Sequence, residues 1–173
     1  MRKLAVFLGT LALAVGANAA KPVGDTSAHQ GEVARKHLAD FFLRTKGMRR
    51  VVSAAEVWET TRSGKIKYRV VDVRQPEDYE KGHVPGAINL PLDVLFRPAS
   101  LAKLPVAGDP ILLVCQSGHM ESMALGGLAA LGYEPYVLRF GMIGWNAETS
   151  IKAAGAPGRP ADVVRGLDGP IER

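Results

Sequence analysis

The sequence predicts an α/β fold, a sandwich whose largely parallel sheet lies between helices, and three observations carry that expectation. The run Tyr68-Arg69-Val70-Val71-Asp72-Val73-Arg74 is β-branched and lacks polar alternation, as suits a central parallel strand buried on both faces. A second apolar run, Ile111 to Val114, passes through Cys115 and the small polar segment Gln116-Ser117-Gly118-His119 into the alanine- and leucine-rich stretch Met123 to Leu131, which reads as strand, tight loop and helix. Strand-like and helix-like segments alternate along the rest of the chain, the pattern of parallel sheets with helical crossovers.

The first twenty residues stand outside the fold. Arg2-Lys3 form a positive n-region, Leu4 to Val15 an apolar h-region and Ala17-Asn18-Ala19 an A-x-A site, so residues 1–20 read as a signal peptide cleaved near Ala19 or Ala20. An uncleaved membrane anchor needs about 20 apolar residues, so no stable membrane insertion is expected after cleavage. The location implied is periplasmic or secreted.

Residues 21–50 form a leader and an extra helix. Lys21 to Gln30 is polar, with Ser27 and Gln30 spaced as a capping box for a helix from about Gly31 to Lys46. Val33, Ala34, Leu38, Phe41 and Phe42 recur on one stripe of it, and Gly47 is placed to end it. His37, beside the stripe, is a surface or packing histidine. A short strand, Arg50 to Val52, leads to Ser53-Ala54-Ala55-Glu56, the capping box of a second helix through Thr61 that Ser63-Gly64 closes. Val57 and Trp58 supply its buried side.

Asp72 and Arg74 fall on one face at the carboxyl end of the strand that follows. Ligands bind at that end of open parallel sheets, but such a pair also pins a loop by an ion pair or backbone hydrogen bonds. Between Gln75 and Leu92, Pro76, Gly82-His83, Pro85-Gly86 and Pro91 break regular structure repeatedly, leaving a short strand Ala87 to Leu90. His83 braces the turn before Val84-Pro85. The strand Ile111 to Cys115, a helix ending at Gly132, and a strand Tyr136 to Leu138 complete the sheet, and Trp145 packs against it. The tail 155–173, rich in Gly, Pro and charge, is expected to be flexible or to wrap the surface.

Cys115, the single cysteine in 173 residues, carries most of the functional signal. A lone cysteine is often a small buried hydrophobe. Here it closes a strand and precedes small polar residues, where loop N–H groups and the positive end of a helix dipole converge, a setting expected to favour thiolate. Gly118 lets the backbone curl toward a bound anion. In an exported protein an unpaired thiol points to chemistry or to an intermolecular partner. The net charge of +5 is spread along the chain, without the basic clusters and interleaved aromatics of nucleic-acid binders. Four histidines without ligand spacing and one cysteine without a partner motif give no metal site.

The residues Val71-Asp72-Val73-Arg74-Gln75-Pro76-Glu77-Asp78-Tyr79 and Gly82-His83-Val84-Pro85-Gly86-Ala87-Ile88-Asn89-Leu90-Pro91 resemble the signature of the rhodanese domain. Leu113-Val114-Cys115-Gln116-Ser117-Gly118 is similar to its active-site loop, and Gly132-Tyr133 with Gly141-Met142-Ile143-Gly144-Trp145 resembles its end. The resemblance spans residues 51–154. It implies a rhodanese-like three-layer sandwich in which Cys115 takes a sulfane sulfur from a donor such as thiosulfate, a persulfide or a polysulfide, holds it as a persulfide, and passes it to a thiol or cyanide. No cofactor is implied. Gln116, Ser117, Gly118, His119 and Met120 would form the substrate-binding loop, with Asp72, Arg74 and His83 as structural support.

One departure is chemical. The sixth loop position is often arginine, or else threonine or serine, in active relatives; here it is Met120, followed by Glu121. Loss of a guanidinium fork and gain of a carboxylate disfavour dianionic thiosulfate, whereas the polarizable Met120 suits a persulfide, polysulfide or organic thiol. His119 either restores positive charge or points to solvent. A cysteine phosphatase also needs an arginine near the loop's end, and Met120-Glu121-Ser122-Met123 has none. The reading from another class is a weakly active or non-catalytic module that binds another exported protein, with a thiol protein as its partner.

Overall fold

A computed structural model describes residues 26–46, 50–105, 109–146 and 168–173. The segment expected to be a signal peptide, Gly47 and most of the tail lie outside these residues. Helix α1 (Thr26–Arg44) is followed by β1 (Val51–Val52), α2 (Ala54–Arg62), β2 (Arg69–Asp72), α3 (Pro76–Tyr79), β3 (Ile88–Asn89), α4 (Leu92–Leu95), α5 (Pro98–Leu101), β4 (Ile111–Val114), α6 (His119–Ala130), β5 (Pro135–Leu138) and α7 (Gly141–Trp145).

The strands form one five-stranded sheet in the order β1-β5-β4-β2-β3, with every pairing parallel. The expected α/β sandwich is therefore present. From β2 the chain proceeds outward to β3, whereas from β4 it proceeds the other way to β5, so the connections diverge between β2 and β4. In open parallel sheets a crevice opens at the carboxyl ends of such a strand pair. Asp72 is paired with Val114 there, which sets Cys115 beside the β2 exit.

Alternation along the strands divides the core. Val71, Val73, Leu113, Cys115 and Val137 pack with Leu95, Ala124 and Leu128 on one face. Val70, Leu112, Val114 and Leu138 pack with Val57, Met142 and Trp145 on the other. Ser53 caps α2 in the reciprocal manner its spacing predicts: its Oγ accepts the Glu56 N–H at 3.2 Å, and Glu56 accepts the Ser53 N–H at 2.8 Å.

Three expectations need correction and a fourth is narrowed. Helix α1 already includes Ser27, so Ser27 and Gln30 are not its capping box. Of the α1 stripe only Phe41 is buried; Val33 and Phe42 are exposed, because the helix touches the domain mainly along α6, where His37 Nδ1 lies 3.0 Å from the Ala130 carbonyl oxygen. Trp58 is 40% exposed, its ring set edge-on to Trp145 at 6.1 Å. It covers the margin of the core rather than its interior, as suits an indole too large to bury from so short a helix.

Finally, the tail's closing segment, Asp168–Arg173, is docked. The main chains of His83 and Glu172 pair through two hydrogen bonds of 3.0 Å, the indole N–H of Trp145 donates to the Pro170 carbonyl at 2.8 Å, and the Asn146 amide donates to the Gly169 carbonyl at 2.7 Å. Of the two alternatives expected for the tail, these six residues wrap the surface rather than being flexible, and backbone pairing of this kind leaves no apolar signature in sequence.

Candidate active site

Strand β4 delivers Cys115 to the carboxyl edge of the sheet, and Gly118, at φ 102°, turns the chain into α6 as its N-cap. That left-handed conformation suits glycine because it lacks a Cβ. The turn aims N–H groups back at the sulfur, and Cys115 Sγ accepts the Gly118 N–H at 3.2 Å. The N–H groups of Glu121 and Ser117 also favour the thiolate. Behind the loop, α7 fastens it in place: Met142 N–H donates to the Cys115 carbonyl at 2.8 Å and Ile143 N–H to the Gln116 carbonyl at 3.1 Å.

The net electrostatics nevertheless run against the expectation of a thiolate. Cys115 is 1% exposed. Burial pushes its thiol pKa up, the charge of Glu121 adds to the rise, and the loop N–H groups only partly offset the two. The residue is thus buried, as the plain reading of a lone cysteine allows, and also cradled by amides. Those properties come together because α6 begins inside the domain, under its own loop.

Glu121 is the feature that sequence reasoning placed wrongly. It was expected to act as a carboxylate repelling substrate, but it is fully buried beneath the loop. One carboxyl oxygen, Oε2, accepts the Cys115 N–H. The other oxygen, Oε1, is buried with no hydrogen-bond partner among the described residues. Burial pushes the Glu121 pKa up to about 8; bonds from Cys115 oppose the rise and the charge of Asp72 adds to it. A signal was available in the helix period: Glu121, Ala124 and Leu128 share the buried stripe of α6.

This carboxyl couples stability to pH. The folded state holds the Glu121 proton up to about 8, whereas an unburied glutamate releases it near 4.5, so between those values the folded form binds more protons than the unfolded. Stability from this group is complete below about pH 4.5 and falls as pH rises toward 8, by a few kcal/mol in order of magnitude. Urea midpoints measured across that window should decline in the wild type, and Glu121→Gln should flatten the decline. Equal slopes in the two proteins would refute the assignment.

Asp72 and Arg74 form a buried ion pair beside the loop, 1% and 3% exposed. Arg74 Nη2 meets Asp72 Oδ2 at 2.6 Å and Arg74 Nε meets both carboxylate oxygens at 3.0 Å, while the Arg74 N–H caps Oδ1 at 3.0 Å. The guanidinium then reaches outward: Nη2 donates to the Gly82 carbonyl at 2.8 Å and Nη1 approaches Gln116 Oε1 at 3.4 Å. His83 stacks on Tyr79, with ring centroids 3.6 Å apart, and its Nδ1 lies 3.0 Å from the Tyr79 carbonyl oxygen. The pair and His83 therefore surround the Gly82 turn, and only Arg74 extends to the cysteine loop.

The remaining loop residues differ in placement. Ser117 Oγ and His119 Nδ1 are 2.9 Å apart at the surface, so the exposed imidazole turns back onto the loop. Met120 is half-buried and packs against the inner core cluster, which limits how much of it can form a substrate wall. A cavity of about 330 Å³, lined by Trp58, Tyr68, Arg69, Val84 and Trp145 among others, opens at the amino ends of β2 and β4, away from Cys115. Among the described residues no three His, Cys, Asp or Glu side chains are grouped to hold a metal ion.

The family model described as "Rhodanese-like domain" matches residues 53–148, more than half of the sequence. The chain belongs to the rhodanese-like family. The thiosulfate sulfurtransferase PspE of Escherichia coli (strain K12) is 36% identical over 63 residues, which cover 36% of this chain and 60% of that protein. YrkF of Bacillus subtilis (strain 168) is 31% identical over 81 residues, 46% of this chain and 42% of that protein. The chain thus spans about half the length of these curated relatives. The crystal structure of the BH2092 protein from Bacillus halodurans has a TM-score of 0.53 at 23% identity, covering 65% of this chain and 82% of that one, and shares the fold. Sulfur transfer is a chemistry of this rhodanese-like family, and PspE is named for it.

Proposed function

We propose that this rhodanese-like protein is a sulfurtransferase that carries a sulfane sulfur on Cys115. The observation behind the reading is the Gly118 N–H donating to Cys115 Sγ at 3.2 Å in the turn that starts α6. Loop amides stabilise charge on Sγ as it attacks and on the persulfide it becomes, while the donor's remaining fragment departs. Asp72 and Arg74 act by fixing the β2 exit, and Arg74 steadies Gln116.

The preferred donor is a neutral or singly charged persulfide rather than thiosulfate. Met120 stands where a cationic fork would hold a dianion, and the buried Glu121 adds negative charge below Cys115 when ionised. The acceptor is a thiol, either small or on an exported protein, and the setting is the periplasm or the exterior, in keeping with the sequence of residues 1–20.

Intact-mass measurement tests the reading. After brief exposure to cysteine persulfide the wild type should gain about 32 Da, one sulfur, and lose it to added thiol, while Cys115→Ser gains nothing. Rates with thiosulfate, mercaptopyruvate and cysteine persulfide rank the donors, and a clear preference for thiosulfate would refute the substrate assignment. The burial of Cys115 favours a second reading, a protein-binding module with an inert thiol. Absence of any sulfur adduct on a fully reduced thiol would decide for it.

A further inference from the structure

We propose that Glu121 is the proton acceptor for Cys115, the two side chains sharing one proton that sits on the carboxyl whenever the sulfur is charged or sulfur-loaded. This deepens the sulfur-transfer reading and rests on it.

The geometry offers few alternatives. Glu121 has no solvent exposure, and a buried carboxylate without full compensation is costly, so the group must gain a proton or a partner. Oε2 is committed to the Cys115 N–H, and Oε1 has no hydrogen-bond partner among the described residues. Among the described residues, the titratable side chain set beside it is the Cys115 thiol, on the residue whose backbone N–H Oε2 accepts. The other charges nearby are Asp72 and Arg74 at the β2 exit, and these are paired with each other at 2.6 Å. His119, on the same helix as Glu121, is exposed and turned toward Ser117. Burial raises both acids of the pair, and the charge of Glu121 further opposes ionisation of Cys115, so their protons leave as those of a coupled pair.

The balance of the cycle follows. In loading above about pH 8, where Glu121 is ionised, the pair begins as thiol and carboxylate. Sγ attacks the outer sulfur of a neutral persulfide, RS–SH; its proton passes to Glu121, the Sγ–S bond forms, the RS–S bond breaks, and RS⁻ leaves. Cys115 then carries S–SH above a neutral carboxyl. In discharge, an acceptor thiolate attacks the outer sulfur, takes it with its hydrogen as a new persulfide, and Sγ recovers its proton from Glu121. No external oxidant or reductant enters. The negative charge leaves with RS⁻ in loading and returns to the Glu121 carboxylate in discharge, so the buried site never has to hold two charges at once.

Glu121→Gln is nearly isosteric, and its carbonyl can still accept the Cys115 N–H, so a merely structural role would survive the change. Because Cys115 is the single cysteine, the pH dependence of iodoacetamide alkylation reports on it alone. The wild type should require two ionisations for full reactivity. Glu121→Gln should require one, at lower pH, with alkylation on the rising limb faster by roughly tenfold for each pH unit of the displacement. In infrared difference spectra near pH 8.5, loading with cysteine persulfide should produce a protonated carboxyl band in the wild type that Glu121→Gln lacks.

Retention of the two-ionisation profile in Glu121→Gln, or loading without a carboxyl band, would overturn the proposal. If Glu121→Gln does not fold, Cys115→Ser serves instead. Its buried carboxyl should titrate in one step, uncoupled from any thiol, and a carboxyl titration unchanged from the wild type would be equally fatal. A wild type that accepts no sulfur yet alkylates with two ionisations would refute the transfer reading and leave the shared proton standing.

Discussion

Arg74→Ala is expected to cost about 3–5 kcal/mol of folding stability, read as a large drop in the urea midpoint. The cause is less the lost attraction than what remains. Asp72, 1% exposed, would keep its carboxylate with one backbone N–H for company, and the Gly82 carbonyl would lose its guanidinium donor. The double variant Asp72→Leu/Arg74→Met removes both charges and should recover much of the loss, because a buried pair replaced by packed apolar groups is often close to neutral. Recovery should stop short of the wild type, since Gly82 stays without its donor. A single Arg74→Ala change costing under about 1 kcal/mol would show that water reaches the site and solvates Asp72.

Gly141→Ala should be at least as damaging and should reach the sulfur loop directly. Gly141 has φ 52°, and a Cβ built on it would lie 2.3 Å from the Cys115 carbonyl oxygen and 2.9 Å from the Cys115 and Gln116 carbonyl carbons. These are backbone atoms and cannot rotate away as a side chain could. Relief requires α7 and the loop to separate, which breaks the bonds from Met142 and Ile143 to the carbonyls of Cys115 and Gln116. With a strained left-handed alanine added, the expected cost is on the order of 2–4 kcal/mol. Loading of Cys115 should fall at least tenfold even where the protein remains folded, because the turn that aims the Gly118 N–H is held from behind by these bonds. Normal loading in a folded Gly141→Ala protein would show that α7 does not position the loop.

Much of this arrangement could be read from the sequence because it depends on short-range signals. The β-branched run at residues 68–74 gives β2, and Ser53 with Glu56 gives the start of α2. The step from Val114 through Gly118 gives the strand, turn and helix around Cys115. What escaped depends on where a helix face points and on backbone pairing at a distance. Glu121 follows Met120 in a polar loop and so reads as surface, although its spacing to Ala124 and Leu128 puts it on the inner stripe. The same turn of helix reverses the inference about the thiol, since burial and, after it, the charge of the carboxyl beneath together outweigh the amides around the sulfur. Trp58 has the composition of a core residue on a helix too short to carry it inward. The Asp168–Arg173 segment is held by main-chain bonds, which no side-chain pattern reveals.

That docked segment also bears on the order in which the molecule can assemble. The Gly86 N–H donates to Glu172 across 86 residues of chain, so the contact closes one of the longest loops in the fold and gains nothing until both ends are in place. The turn it clasps, from Gly82 to Gly86, also receives Arg74, and Arg74 reaches Gln116. A nascent chain can therefore complete its sheet while this turn still waits for a residue made 86 positions after Gly86. Ribosome-tethered or C-terminally fused forms offer a way to hold the protein at that stage, with the strands paired and the clasp open.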